Sequence, residues 1–441
     1  MRSRSRFAAI VASVAIFAAA CSSGGGNAST TPGGESPAAS PAGSPAGSPA
    51  AAGACANYAV SLDLWTKDSP TDGSLVFAKK LTEDFKALHP DVKFATTKKE
   101  VGGTESLRED FLKATLAKSQ PDLLFTVADH VGPFSAANAI MPLDGLIDPA
   151  TYVPNALAAV QADGKTWGVP LSFGNQLMLY WNKDMVPDAP ADSDAMIAAA
   201  KANTSGDKVG LSFRQEESFW LVPFLGAFGG SVFAADGVTP TLDTPAMVSA
   251  LKFLSDLKYV DKVTPKEADY TVADNLFKQG KAAMAINGDW ALGDYSKLPF
   301  KIGVGPLPKV VGADFPKPYV AGEYIMASSG LANDPDKQCV AIEFMKYATD
   351  TAQQLEMVAA LKRLPGNATA IDDPVVTGDE YLAGAAAAAK LGVPQPTNLE
   401  MRCNFDAMNG AIRAVLGKQA DPQGEATKAQ KAAESCITKI Q

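Results

Sequence analysis

From residue 55 onward the chain alternates short apolar runs with longer stretches whose apolar residues recur every three or four positions. Residues 59–65 read as a strand, and 74–88 as a helix with Phe77, Leu81, Phe85 and Leu88 on one face. A second strand over 92–97 is followed by a helix over 105–118 that carries Leu107, Phe111 and Thr115 on one side. A third strand follows at 122–127, entered through Pro121. The alternation returns later as helix 246–259, strand 282–287, helix 335–348 and a last helix over 425–440. Strands alternating with helices in this way predict α/β layers, with functional loops gathered at the strand ends.

Residues 1–54 follow a different pattern. Arg2, Arg4 and Arg6 precede an uncharged run from Phe7 to Ala20 made of Phe, Ala, Ile, Val and Ser. A basic segment before a short apolar one is the design of a secretory signal, and the run is too short for a spanning helix. It ends in Ala18-Ala19-Ala20-Cys21, which resembles the bacterial lipobox, whose cysteine becomes the lipidated first residue of the mature protein. Ala18 stands where a larger aliphatic residue is usual. Residues 22–54 are almost all Ser, Gly, Pro, Ala and Thr, with a Ser-Pro-Ala-Gly unit repeated between Ser40 and Ala50. Such a segment has no apolar face to bury and cannot offset the entropy of ordering, so 21–54 is expected to be a disordered tether behind a lipidated Cys21. Its reach lies between about 30 Å as a coil and about 100 Å as polyproline II.

Charge narrows the function classes. Lys plus Arg number 39 against 48 Asp plus Glu, a formal charge of −9, and losing the three arginines of residues 1–20 takes the mature form to −12. That balance argues against nucleic acid or anionic lipid as a partner. Apart from Cys21, four cysteines remain: Cys55, Cys339, Cys403 and Cys436. An even count in an exported chain predicts two disulfides, with three pairings open.

The search for catalytic chemistry finds little. His89 and His130 are the only histidines, too few for a histidine metal cluster or a His-Glu-x-x-His helix. There is no nucleophile elbow, phosphate loop or dinucleotide fingerprint; Gly303-Val304-Gly305 runs straight into Pro306. Asp372-Asp373 reads as a solvated loop, and Glu216-Glu217 is the one acidic pair with a catalytic alternative. No cofactor and no metal is implied. What recurs instead is tryptophan in polar company: Trp65, Trp167, Trp181, Trp220 and Trp290. A ring at a strand end with polar neighbours suits sugars, whose C–H faces stack while their hydroxyls bond to carboxylates and amides. Trp167 and Trp181 read as partly buried core, whereas Trp65 and Trp290, the latter in Asn287-Gly-Asp-Trp, read as site residues.

The order of these segments from 58 to 440 resembles the extracellular solute-binding family that includes maltose-binding protein, the capture components of carbohydrate ABC importers. The matching segments are the Trp65-ended strand, Pro121-Asp-Leu-Leu-Phe-Thr-Val-Ala-Asp, and Gly168-Val-Pro-Leu leading to Leu179-Tyr-Trp-Asn-Lys-Asp-Met. Pro223 to Gly230, Ala283-Met-Ala-Ile-Asn-Gly-Asp-Trp and Ile302-Gly-Val-Gly-Pro-Leu-Pro follow in order. Gly174-Asn175 and Ala321-Gly322-Glu323 depart from the family pattern. The resemblance implies a two-lobed periplasmic-binding-protein-like fold of type II, with a hinge and an interlobe cleft. Lobe one would comprise 55–172 plus 305–365, and lobe two 173–304 plus 366–441. Trp65, Asp129, Glu323 and Arg363 would face the cleft from lobe one, and Asn175, Glu217, Phe219 and Trp290 from lobe two. Asp129 and Glu217 would accept from hydroxyls, Arg363 and Asn175 would donate, and Phe219 and Trp290 would stack. His130 reads as a loop residue beside the cleft.

The function this implies is capture of a sugar, a di- or oligosaccharide, by a monomer held to the outer face of the membrane by its lipid. Delivery would be to ABC permease subunits, with ligand favouring closure because only the closed form makes both lobes' contacts. The alternatives are a binder of a non-sugar solute such as a polyamine or phosphate ester, and a surface polysaccharide hydrolase working through Glu217 and a second carboxylate. Under the implied lobes, a bridge across them would tie bodies that must rotate. Cys55–Cys339 and Cys403–Cys436 are therefore the expected pairs.

Overall fold

The computed structural model describes residues 55–66, 74–98 and 104–440, and Cys21 with the signal and tether segments lies outside them. Among the described residues no helix is long and apolar enough to cross a membrane.

Two sheets organise the chain. In the first, Ser61–Thr66 pairs in parallel with Lys93–Lys98 on one side and Leu123–Val127 on the other. Glu323–Ala327 then adds antiparallel to Leu123–Val127, with Val169–Pro170 beyond it. A strand from far along the chain thus completes a sheet begun near its start. In the second sheet Leu177–Asn182 lies between Ile302–Gly305 and Ala282–Gly288, antiparallel to both, and Val209–Ser212 pairs in parallel at the far side of Ala282–Gly288. Ala282–Gly288 is buried at every position, as expected for a central strand covered on both faces.

The helices form where the apolar spacing and the caps coincide. Ser74–Leu88 buries Phe77, Leu81 and Phe85 against the first sheet, but Leu88, expected on the same face, is 63 % exposed. It sits in the last turn, beside the chain's exit through His89 and Pro90, where the helix leaves the sheet. Pro335–Ala348 begins with proline at its first position and an Asp334 carboxylate that accepts from the Lys337 N–H. Its Val340, Ala341, Phe344, Met345 and Ala348 join the first core.

That first core gathers side chains from 55–171 and 321–361, and the other two clusters gather those from 177–320 and the C-terminal helices, together with Val358 and Leu364. Leu307, Val310 and Tyr319, in the stretch expected to open lobe one's return, pack instead with the second lobe. Between the sheets the chain crosses three times, and the crossings bond to one another. Leu364–Pro365 pairs with Ser172–Phe173, while the Gly174 and Ala321 N–H groups each donate to the other's carbonyl at 3.2 and 2.8 Å. Cys55 is bonded to Cys339, with Cα atoms 5.8 Å apart, and Cys403 to Cys436, 5.5 Å apart.

Candidate functional site

Three short 3₁₀ turns carry the candidate side chains: Ala128–His130, Ser218–Trp220 and Asp289–Ala291. The first follows directly on the strand Leu123–Val127 and the third on Ala282–Gly288, and each runs on into a short helix. In all three the outer residues are buried and the middle one is half-exposed, so each turn presents a single side chain: Asp129, Phe219 and Trp290. A tight turn at a strand end keeps its middle side chain only partly covered, and functional loops in α/β folds gather at strand ends.

In the second lobe these turns build an aromatic shelf. The Phe219 and Trp290 ring centroids are 6.2 Å apart, and Phe219 lies 6.5 Å from the buried Tyr319. Trp220, also buried, stands edge-on to Trp290 at 6.2 Å. The Trp290 Nε1–H donates to the Tyr270 hydroxyl at 2.9 Å, fixing the ring's rotation. Gly288 permits the arrangement, because a Cβ there would lie 2.1 Å from the indole. The half-buried Phe405 extends the shelf edge-on to Tyr319 at 6.4 Å. Beside the shelf, Glu217 is bonded by Arg214, which also reaches Glu216 at 3.0 Å and lies 5.9 Å over the Trp220 ring. The helix Glu400–Lys418 pins this turn, since Asn409 accepts from the Ser218 N–H at 2.8 Å.

The crossings carry the charged part. Arg363 is 4 % exposed and forms an ion pair with Glu323, so two residues expected as separate ligand contacts are joined to one another. Asp289 lies within their field. Burial pushes its carboxyl up to about 6, the Arg363 charge and the N–H groups of Asn175 and Trp290 oppose that, and Glu323 adds to it. Asn175 holds a left-handed backbone at φ 61° and donates from its side-chain amide to Gln395 at 3.4 Å.

Two expectations are corrected by burial. Trp65 is 8 % exposed, packs in the first core and donates to Asp63 at 3.0 Å. Its ring projects from the sheet face and packs among the first core's side chains rather than at a rim. His130 is no loop residue: it is 1 % exposed, with Nδ1 2.6 Å from the Thr126 hydroxyl and its ring 5.0 Å from Phe134. Trp167 and Trp181 are buried as read, Trp181 lying against Gly303, where a Cβ would approach the indole to 1.9 Å. Sequence reasoning passed over Tyr270, Asp289, Tyr319, Gln395 and Phe405. Asp289 lay in plain view beside Trp290, while Phe405 inside a long helix gave no local signal.

A model of the bacterial extracellular solute-binding proteins matches residues 80–384. The chain belongs to that family, with the two-lobed fold of the binding proteins that serve carbohydrate ABC importers, of the kind that maltose-binding protein represents. It is 25 % identical over 366 residues to the maltotriose-binding protein of Pyrococcus abyssi, an alignment covering 80 % of this chain and 77 % of the relative. It is 23 % identical over 299 residues to a maltodextrin-binding protein of Bacillus subtilis, covering 65 % and 70 %. Among solved structures, the maltose/maltodextrin-binding domain of Bdellovibrio bacteriovorus bound to maltotriose superposes with a TM-score of 0.80 at 31 % identity. That match spans 86 % of this chain and all of the other. These relatives are sugar-binding proteins, and the family places the chain outside the cytoplasm.

Proposed function

We propose that the chain captures a malto-oligosaccharide in the cleft between its lobes and delivers it to an ABC permease, without chemistry on the sugar. The observation that carries the reading is the shelf: Phe219 and Trp290 half-exposed over buried Trp220 and Tyr319, with carboxylates and amides at the margin. Stacked rings beside hydrogen-bonding groups suit the flat, hydroxyl-edged face of an α-glucan. Relatives named for maltotriose and maltodextrin support the same ligand class. In this reading Asp129 and Glu217 accept from sugar hydroxyls, Asn175 donates, and Phe219, Trp290 and Phe405 stack. Lobe one comprises 55–172 with about 321–365. Lobe two takes 173–320 and the C-terminal helices. The sequence of residues 1–54 supports a lipid on Cys21 and a tether that holds a monomer at the outer membrane face.

Calorimetric titration of the mature chain with maltose, maltotriose, maltotetraose and lactose tests the ligand. Saturable binding of maltotriose is expected; a folded chain that binds none of the α-glucans overturns the reading. Release of reducing ends from maltotriose during the same incubation would make the chain a hydrolase, an outcome opposed by the bond that ties Glu217 to Arg214. For the anchor, a Cys21→Ala chain is expected in the medium or unprocessed; a processed variant retained on membranes overturns lipidation.

A further inference from the structure

The buried carboxylate of Asp289 lies where the crossings meet the shelf, and its surroundings are more specific than a core position requires. Gly174 has φ 145°, a backbone that L side chains rarely adopt, and a Cβ there would stand 2.3 Å from Asp289 Oδ2 and 3.0 Å from Gln176 Oε1. The carboxylate therefore rests directly on the first crossing. It accepts from the N–H of Asn175, the next residue and itself left-handed, and the Asp289 N–H donates to the Gln176 carbonyl at 3.2 Å. The second and third crossings face the same group through Glu323 and Arg363, which are ion-paired. Tyr180, on the neighbouring strand, completes the titratable groups around it.

We propose that Asp289 is a positioning residue for ligand binding: it locks the Gly174–Asn175 turn and, with Glu323, holds Arg363, so that Asn175 and Trp290 keep a fixed relation across the crossings. The proposal deepens the sugar-binding reading and rests on it. Chemistry supplies a second state. Gln176 is fully buried and its Nε2 donates to the Ala385 carbonyl at 3.0 Å, which fixes the amide's orientation. Its Oε1 has no hydrogen-bond partner among the described residues and approaches the same point beside Gly174 as Asp289 Oδ2. An unfilled acceptor beside Gly174, on the same side as the carboxylate, offers a protonated Asp289 a partner. Protonated Asp289 would donate to Gln176, loosen its charge-assisted hold on the Asn175 N–H and lose its coulombic attraction to Arg363. The carboxyl titrates near pH 6, so the turn is held above that pH and released below it.

The test uses the mature chain, maltotriose and two substitutions. Wild-type affinity is expected to fall about tenfold between about pH 8 and pH 5, the size of one lost charge-assisted hydrogen bond. Asp289→Asn, which keeps the shape without the charge, is expected to bind about tenfold more weakly at pH 8 and to show no further fall at pH 5. Asn175→Gly tolerates the left-handed backbone and removes the positioned side chain, and combining it with Asp289→Asn should add little to either alone. Affinity of Asp289→Asn equal to wild type at both pH values, or fully additive losses in the double variant, overturns the proposal. Tryptophan emission without ligand separates this from the parent reading. A transition near pH 6 in wild type that Asp289→Asn abolishes supports positioning even if maltotriose never binds, and its absence in wild type overturns positioning even if maltotriose does.

Discussion

The turns Ala128–His130 and Asp289–Ala291 are one in each lobe and nearly the same object. Each follows a central strand, begins from an extended residue, Val127 or Gly288, and hands the chain to a short helix. Each buries its first and third residues and presents its second. The chemistry on that scaffold is opposite: the first lobe offers the carboxylate of Asp129 and the second the indole of Trp290. The inward positions differ as well, with Ala128 in one and a buried carboxylate, Asp289, in the other. The backbone decides where a side chain is shown, and the residue alone decides what is recognised. On the proposed sugar-binding reading, a ligand held between these two side chains needs an apolar face toward one lobe and hydroxyls toward the other.

The comparison assumes two separately stapled bodies, and the largest test concerns the staples. Replacing both Cys55 and Cys339 by Ser removes a link across 284 residues, and the same change at Cys403 and Cys436 a link across 33. Chain entropy puts the costs at about 5.6 and about 3.7 kcal/mol, to be read as shifts in denaturant midpoint. Equal losses would mean that native-state packing, not loop closure, sets the value of each bridge.

The indole should outweigh the carboxylate. Trp290→Ala is expected to weaken maltotriose binding by about 1–3 kcal/mol while the chain stays folded, the loss of one stacking plate in a desolvated site. Unchanged affinity with a large fall in melting temperature would return Trp290 to the core. Asp129→Ala should cost about 1–2 kcal/mol in the same titration, as for a hydrogen bond to a charged acceptor, and no loss would strip the first-lobe turn of its role. The smallest effect is expected from Tyr270→Phe. It deletes the hydroxyl that accepts from Trp290 and should cost about 0.5–1 kcal/mol in affinity, by releasing the ring's rotation.

Much of this was legible in the sequence because it depends on neighbours in the chain. The spacing of Phe77, Leu81 and Phe85 defined a helix, and Asp334-Pro335 marked where another begins. The turns that present Asp129 and Trp290 follow directly on their strands, and a strand followed by a turn is a local pattern. What could not be read there depends on distant partners. Nothing near Glu323 announces Arg363, forty positions on in the chain yet its ion-pair partner. Trp65 looks like a rim residue from its neighbours in the chain, and its burial depends on core side chains distant in sequence. Phe405 occupies a spacing that any core residue of its helix could hold, and only Tyr319 beneath it distinguishes the position.

The late strand Glu323–Ala327 has a consequence for how the protein is made. The first sheet lacks its fourth member until the chain has emerged past residue 327, and Cys55 has no native partner before Cys339 appears. The second lobe waits still longer, for the helices Glu400–Lys418 and Pro422–Ile440 that close its core. Neither lobe can mature in the order of synthesis, and pairings this distant in sequence form slowly. On the proposed secretory reading, such a chain would remain incompletely paired through nearly its whole length, the state in which a polypeptide can be threaded through a narrow export channel. The discontinuous topology that gives the molecule its three crossings thus also postpones its completion until the last helix is out.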